Sequence, residues 1–136
     1  MTKAPPVLQA LLLADQIYTD RDTGKRVICG TFNRIGCREF PCTLDRPTCA
    51  FILLVEVVNE TWLQLRFVNL ENNEILMECN PFRIASDDPL RAQDLVIQLP
   101  KFPLPRAGIY SLECWADGTM IGSVRLQVVR AEESQE

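Results

Sequence analysis

Short runs of β-branched, aromatic and other apolar residues alternate along this chain with turn signals rich in Pro, Gly, Asn and Asp. No run of ten or more residues keeps apolar side chains at helical spacing between capping residues. Frequent short strands with regular turns are typical of an all-β sandwich or barrel. The sequence therefore predicts an all-β fold. The strands are expected at 7–15, 26–34, 48–58, 62–70, 75–84, 94–99, 109–115 and 119–129.

The length and composition indicate one globular domain. A chain of 136 residues fits one domain and buries about two-thirds of the surface that its unfolded state exposes. Apolar residues make up 47% and charged residues 24%, values that exclude a disordered or fibrous chain. We therefore expect one domain over residues 1–130, followed by an acidic, disordered tail at 131–136.

The charged residues and the lack of histidine exclude several function classes. Eighteen acidic and fourteen basic residues leave a net charge of −4, and the bases are scattered, so we expect no nucleic-acid or membrane partner. With no histidine, the chain lacks the usual general base and every histidine-containing zinc site. Serines are few and no base is placed by a motif. The sequence predicts no catalytic residues, no cofactor and no metal.

The N-terminal apolar run has two interpretations. Val7 to Ala14 is too short to span a bilayer and is preceded by Pro5 and Pro6. As a signal peptide it lacks a small residue where cleavage needs one, because Leu12 stands there. We expect a first β-strand, retained in a soluble, cytoplasmic protein. The signal peptide, which would place the protein outside the cell, is the alternative.

Six cysteines are spread too thinly for a disulfide scaffold. Cys37, Cys42 and Cys49 form a loose cluster without the Cys-x-x-Cys pair that a structural zinc site usually contains. We expect all six to be reduced and free of metal. Zinc binding and a thiol redox role at this cluster are the alternatives.

The hairpin between 62–70 and 75–84 can be predicted to the level of register. A two-residue loop would place Phe67 opposite Glu78, whereas a three-residue loop at 71–73 pairs it with Met77. Because a slip of one residue moves every side chain to the other face, the second register should win. It requires Asn73 in the left-handed conformation.

The last hairpin is predicted in the same way. A three-residue loop at 116–118, with Gly118 supplying a bulge, pairs Tyr110 with Val124. This register buries one face of the hairpin and leaves the other in water, as in a sandwich sheet.

The stretch Ala107–Cys114 resembles the tyrosine corner of immunoglobulin-like domains. The resemblance implies that the hydroxyl of Tyr110 bonds to backbone upstream, expected in the crossing at 85–95. The family's cysteine, two residues after the tyrosine, is replaced here by Leu112. A pairing of Cys29 with Cys114 across the sandwich stays open.

Several further segments resemble an uncharacterised family of small bacterial proteins. The resemblance spans nearly the whole chain and implies a standalone immunoglobulin-like antiparallel sandwich of about seven or eight strands. It implies no assigned activity and no catalytic residues. The matching segments are Ala14–Asp20, Thr23–Lys25, Gly30–Ile35, Trp115–Gly118 and Leu126–Val129.

Two places offer candidate interaction residues. Phe32, Asn33 and Arg34 combine an aromatic ring with groups that recognise a carboxylate or a peptide edge. The alternative is a strand end with Phe32 in the core and Arg34 in solvent. Trp62 and Trp115 fall on the polar side of their strands and are either interface anchors or caps on an open end of the sandwich beneath a loop.

These features predict a non-enzymatic protein-binding or structural module, with a protein partner. One alternative is a redox or enzymatic protein that uses the Cys37/Cys42/Cys49 loop. The other is a domain on a cell surface or virion, where the cysteines would pair.

Overall fold

The computed structural model describes residues 4–44 and 46–131, and this part of the chain is all-β, as predicted. The acidic tail expected at 131–136 lies, apart from Ala131, outside the described residues. No helix in the described ranges is long and apolar enough to cross a membrane. The described residues form twelve strands: β1 (Val7–Thr19), β2 (Arg26–Thr31), β3 (Arg34–Cys37), β4 (Cys42–Leu44), β5 (Cys49–Val55), β6 (Asn59–Asn69), β7 (Glu74–Glu78), β8 (Phe82–Ser86), β9 (Gln93–Gln98), β10 (Phe102–Leu104), β11 (Gly108–Ala116) and β12 (Thr119–Arg130).

The structure contains more strands than the sequence predicts, for two reasons. The predicted strand 26–34 divides into β2 and β3, and 75–84 divides into β7 and β8 where Pro81 lacks a backbone donor. In addition, the short strands β4 and β10 pair with each other inside segments predicted as loops.

The strands form two large sheets and one small one. The four-stranded sheet has the order β2-β1-β5-β9 and is antiparallel. The six-stranded sheet has the order β3-β12-β11-β6-β7, with β8 also paired to β6. Its β12 and β3 run parallel, so the prediction of a purely antiparallel sandwich is wrong for this pair. Residues 32–33 carry the chain from β2, at the edge of the four-stranded sheet, to β3, at the edge of the six-stranded sheet. There β3 lies beside the last strand, β12.

The core contains buried side chains from both large sheets. Ile52 and Leu54 alternate with half-buried residues on β5, and Leu63 and Leu65 alternate with exposed or half-buried residues on β6. Phe67 stacks on Tyr110 with ring centroids 5.3 Å apart. The period of two along these strands buries one face of each sheet and leaves the other face outward.

The hairpin of β6 and β7 confirms the predicted register. Phe67 pairs with Met77, and Asn73 has a φ of 61°. The loop is one residue longer than predicted, spanning 70–73, and a register shift between Phe67 and Val68 compensates for it. The apolar alternation therefore determined the register, and the bulge absorbed the difference in loop length.

The predicted register of the β11–β12 hairpin is wrong by two residues. Tyr110 pairs with Leu126 rather than Val124. The turn contains only Asp117 and Gly118, whose φ angles of 48° and 82° are those of a tight type I′ turn. Gly118 therefore supplies the turn and not a bulge. The two-residue turn shifts the pairing by one residue from the predicted register, and a bulge between Cys114 and Trp115 shifts it by one more. The total shift is therefore two residues, and the same side chains face the core.

Tyr110 makes the type of hydrogen bond that the tyrosine corner implies, but to a different residue. Its hydroxyl donates to the backbone carbonyl of Arg106 at 2.6 Å, and not to the crossing at 85–95. Arg106 lies just before β11, which begins at Gly108, so its carbonyl is close to the buried ring of Tyr110 near the start of the strand.

Candidate functional site

The five candidate interaction residues occupy two separate places. Trp62 and Trp115 border one cleft, whereas Phe32, Asn33 and Arg34 lie at the crossing between the two sheets. The structure thus brings the two tryptophans together and keeps the other three apart from them.

The tryptophans lie on the outer face of the six-stranded sheet. Because Leu63 and Leu65 point into the core, Trp62 and Gln64 point outward, and Trp115 is the cross-strand partner of Gln64. Both indole rings therefore lie on the outer side of the six-stranded sheet. They border a cleft of about 150 Å³. Its other lining residues are Gln64, Arg66, Pro81, Asp117 and Gly118.

Trp115 is held by charged side chains around it. The guanidinium carbon of Arg66 lies 4.4 Å from the Trp115 ring centroid, and its Nε lies 2.7 Å from Glu78 Oε2. The indole Nε1 of Trp115 donates to Glu113 Oε1 at 3.0 Å. The stacked guanidinium and the charge-assisted hydrogen bond to Glu113 fix the orientation of this indole. Arg66 was not predicted as part of the site, although the predicted pairing of Phe67 with Met77 places Arg66 opposite Glu78.

Trp62 is held through its backbone, and its ring is left accessible. Its N–H donates to Asp117 Oδ1 at 3.0 Å, and its carbonyl accepts from the Asp117 N–H at 2.9 Å. The residue remains 49% exposed. One wall of the cleft is therefore a fixed indole, and the other is an exposed indole on a fixed backbone.

Phe32 and Arg34 differ in their exposure. Phe32 packs against the core, and Arg34 is exposed. Arg46 covers Phe32, with its guanidinium carbon 5.0 Å from the ring centroid, and lies 3.7 Å from a carboxylate oxygen of Asp15. The contact of Arg46 with Phe32 could not be found from the sequence, because these residues belong to different loops.

A second, larger pocket separates β3 from β4. It has a volume of about 360 Å³, and the two strands that flank it do not pair with each other. Arg34, Thr43 and Arg46 supply its polar side chains. The remaining lining residues are Ile35, Gly36, Cys37, Cys42, Leu44 and Leu104.

A disulfide between Cys37 and Cys42 closes one end of this pocket, so the prediction that all six cysteines are reduced is wrong for this pair. The chain reverses at 38–41 and brings the two Cα atoms to 6.6 Å, within disulfide range. Cys29, Cys49, Cys79 and Cys114 are free, so Cys29 and Cys114 do not pair with each other. Burial raises the pKa of Cys114 to about 11 and also raises the pKa of Cys79. Within the described ranges, no three Cys, Asp or Glu side chains are grouped as metal ligands would be.

The comparisons with known proteins give one family match. The model of a family described as "Family of unknown function (DUF6941)" matches residues 9–129, which is most of the chain. No curated protein matches the chain.

Proposed function

The chain belongs to the DUF6941 family of unknown function, and we propose that it is a non-enzymatic protein-binding module built on an immunoglobulin-like sandwich. The observation that carries this proposal is the cleft between Trp62 and Trp115 on the outer face of the six-stranded sheet. Tryptophan and arginine are enriched at the centres of protein interfaces, and here both tryptophans line one cleft with Arg66, whose guanidinium lies over the Trp115 ring.

The size of the cleft supports a protein partner over a small-molecule substrate. Ligand pockets usually enclose about 300–1,000 Å³, whereas this cleft measures about 150 Å³. It suits a single apolar side chain projecting from a protein surface. Because Trp115 is already fixed by Arg66 and Glu113, little of its side-chain entropy would be lost on binding.

Two further observations support the immunoglobulin-like part of the proposal. The core lies between two large sheets, and the hydroxyl of Tyr110 bonds to backbone four residues upstream. A short distance back along the chain is where a tyrosine corner finds its acceptor. The resemblance to small bacterial proteins supports a bacterial setting, and the net charge of −4 supports a partner other than nucleic acid or a membrane. A cytoplasmic location would require the Cys37–Cys42 disulfide to be transient, because stable disulfides are rare there.

The test is affinity capture from the native host, followed by direct binding to the purified partner. Trp62→Ala is expected to lose the partner. The matched control is Tyr18→Ala, since Tyr18 is also an aromatic residue at 49% exposure but lies on β1 in the other sheet. A partner that Trp62→Ala retains, or that Tyr18→Ala loses equally, would overturn the proposal.

The Cys37–Cys42 disulfide favours a second candidate, a reversible thiol–disulfide role. A dithiol reductant of the thioredoxin class would pass two electrons and two protons to the S–S bond. Two thiols form, and the reductant becomes a disulfide. Alkylation and mass spectrometry after such treatment are expected to label Cys37 and Cys42. A bond that stays intact under that reductant would exclude this role.

A further inference from the structure

We infer that the open edge of β9 docks a second copy of this chain, with the two β9 strands pairing antiparallel about a two-fold axis at Val96. The edge belongs to the four-stranded sheet and the tryptophan cleft to the six-stranded one, so this inference does not depend on the proposed function. Within residues 4–44 and 46–131, β9 pairs only with β5, which leaves its other edge without a partner strand. Such an edge offers backbone donors and acceptors to an added strand.

The backbone groups that face the open edge belong to Asp94, Val96 and Gln98. The N–H of Leu99 donates to the carbonyl of Thr48 at 2.9 Å, and these two residues continue the register of β9 with β5. In an antiparallel pair, residues alternate between those that bond to the neighbouring strand and those that point away from it. Because Leu99 bonds to the β5 side, the other odd-numbered residues of β9 do so as well. The N–H and carbonyl groups at positions 94, 96 and 98 therefore point outward.

β9 lacks the features that normally keep an edge strand from pairing. Edge strands are usually protected by uncompensated charges, prolines or bulges. β9 contains neither proline nor lysine, and its register with β5 is continuous. Its one charged residue, Asp94, is compensated by Arg26, whose Nε lies 3.0 Å from the carboxylate. β2, at the opposite edge of the same sheet, contains that arginine and has Gly30 at a φ of +73°. The open edge of β9 is therefore the better template for an added strand.

The positions of the outward groups select one register. A two-fold axis normal to the sheet relates two antiparallel copies of one edge strand. All three outward positions meet outward positions only when Val96 lies opposite Val96 of the second copy and Asp94 lies opposite Gln98 of the second copy. A shift of two residues would place Gln98 opposite Ala92, or Asp94 opposite Pro100, and both of these lie outside β9. Pro100 also has no N–H to donate.

The side chains are complementary in this register. Leu95 and Ile97 lie opposite the buried Ile52 and Ala50 of β5, so they are on the core side of the sheet. Directly opposed residues share a face, and Leu95 of each copy therefore meets Ile97 of the other, which extends the apolar side across the axis. On the outer side, the exposed carboxylate at position 94 meets the exposed amide at position 98, once at each end. The amide can donate to the carboxylate, and no two carboxylates are opposed.

The test is analytical ultracentrifugation of the full chain over a range of concentrations at low salt, with Gln98 replaced by Lys and by Glu. The wild type is expected to dimerise reversibly. Because position 98 faces Asp94 of the second copy, Gln98→Lys should tighten the dimer and Gln98→Glu should weaken it, each about ten-fold. The matched controls are Gln127→Lys and Gln127→Glu, at an exposed position of β12 in the other sheet. They make the same changes in net charge and should leave the dissociation constant unchanged.

Val96→Pro is the second variant, and it removes the N–H groups that bond across the axis. Because the N–H at this position points away from β5, the pairing within one copy is kept. The variant should be monomeric at every concentration, with a circular dichroism spectrum like that of the wild type. If it does not fold, the opposite effects of the two Gln98 variants still decide the matter.

Two results would overturn the inference. One is a wild type that stays monomeric at every concentration. The other is a dimer that the Gln98 variants change no more than the Gln127 variants do, because it would form through another surface. Retention of the partner by Trp62→Ala, which overturns the proposed function, would leave these results unchanged.

Discussion

Arg66 lies with its guanidinium carbon 4.4 Å from the ring centroid of Trp115, while its Nε contacts Glu78 at 2.7 Å. The two residues come from neighbouring strands of one sheet face, β6 and β11. The arginine thus joins a half-exposed ion pair to an indole that lines the proposed binding cleft. The arrangement makes the shape of the cleft dependent on an electrostatic contact.

Replacement of Arg66 by Met should lower the free energy of unfolding by about 1 kcal/mol, because stacking and the ion pair are lost while the apolar stem is kept. Urea denaturation measures the change. Arg83→Met is the matched control, since Arg83 forms a 2.8 Å pair with Glu60 in which both side chains are more than half exposed. That control should change stability by less than about 0.5 kcal/mol. Equal effects of the two substitutions would contradict a special role for the stacked arginine.

Tyr110→Phe should cost about 1 kcal/mol, near the lower end of the range for a lost hydrogen bond. The ring stays in place against Phe67, but the carbonyl of Arg106 loses its donor. Because Arg106 is exposed, water can replace the lost bond in part. Chemical denaturation checks the value, and Tyr18→Phe on the surface should have no effect. A neutral Tyr110→Phe would remove the main support for a tyrosine corner.

Much of the sheet structure could be predicted because side-chain alternation acts locally and carries a large burial energy. Phe67 must face the core, and a slip of one residue would turn it outward, so the alternation selects Met77 as its partner. The same argument could not predict the pairing of Tyr110 with Leu126. A shift of two residues keeps the same side chains on the core face, so alternation does not distinguish the two registers. Only the tight turn at Asp117 and the later bulge decide between them.

The candidate sites could be predicted less well than the sheets, because they depend on contacts between distant parts of the chain. Trp62 and Trp115 were predicted to be outward because strand alternation places them there. The disulfide of Cys37 with Cys42 requires a chain reversal that no motif in the sequence marks. The pocket between β3 and β4 also depends on β3 lying parallel to β12, a pairing between residues about ninety positions apart.

Gly30→Ala should destabilise the protein more than Gly24→Ala, although both glycines have nearly the same backbone angle. Their φ values are +73° and +74°, so each substitution incurs the left-handed penalty of about 1 kcal/mol. A Cβ at Gly24 meets no atom within 4 Å, whereas one at Gly30 lies 2.6 Å from Asp15 Oδ2. The total for Gly30→Ala should therefore reach about 2 kcal/mol.

A double substitution isolates the clash with Asp15. When Asp15 is already Ala, Gly30→Ala should lower the free energy of unfolding by about as much as Gly24→Ala does, because only the backbone strain then remains. Urea denaturation of Gly24→Ala, Gly30→Ala, Asp15→Ala and the double variant provides the comparison. If Gly24→Ala and Gly30→Ala cost the same in the presence of Asp15, the close approach of β1 to β2 at this point is not as described.

The stability of the protein should fall in alkaline solution, partly because of Cys114. Burial raises the pKa of this thiol from 9.0 to about 11, so the folded state holds its proton after the unfolded state has released it. Below pH 9 both states are protonated and the thiol gives no pH dependence. Between about pH 9 and pH 11 the unfolded state binds fewer protons, and the free energy of unfolding decreases with pH by about 2 kcal/mol in total.

Cys114→Ala should remove this part of the slope while Tyr110, whose pKa burial also raises, contributes equally in both proteins. Urea denaturation of the two proteins at pH 8, 9, 10 and 11 measures the difference, and parallel curves would show that Cys114 ionises as readily in the folded protein as in the unfolded one.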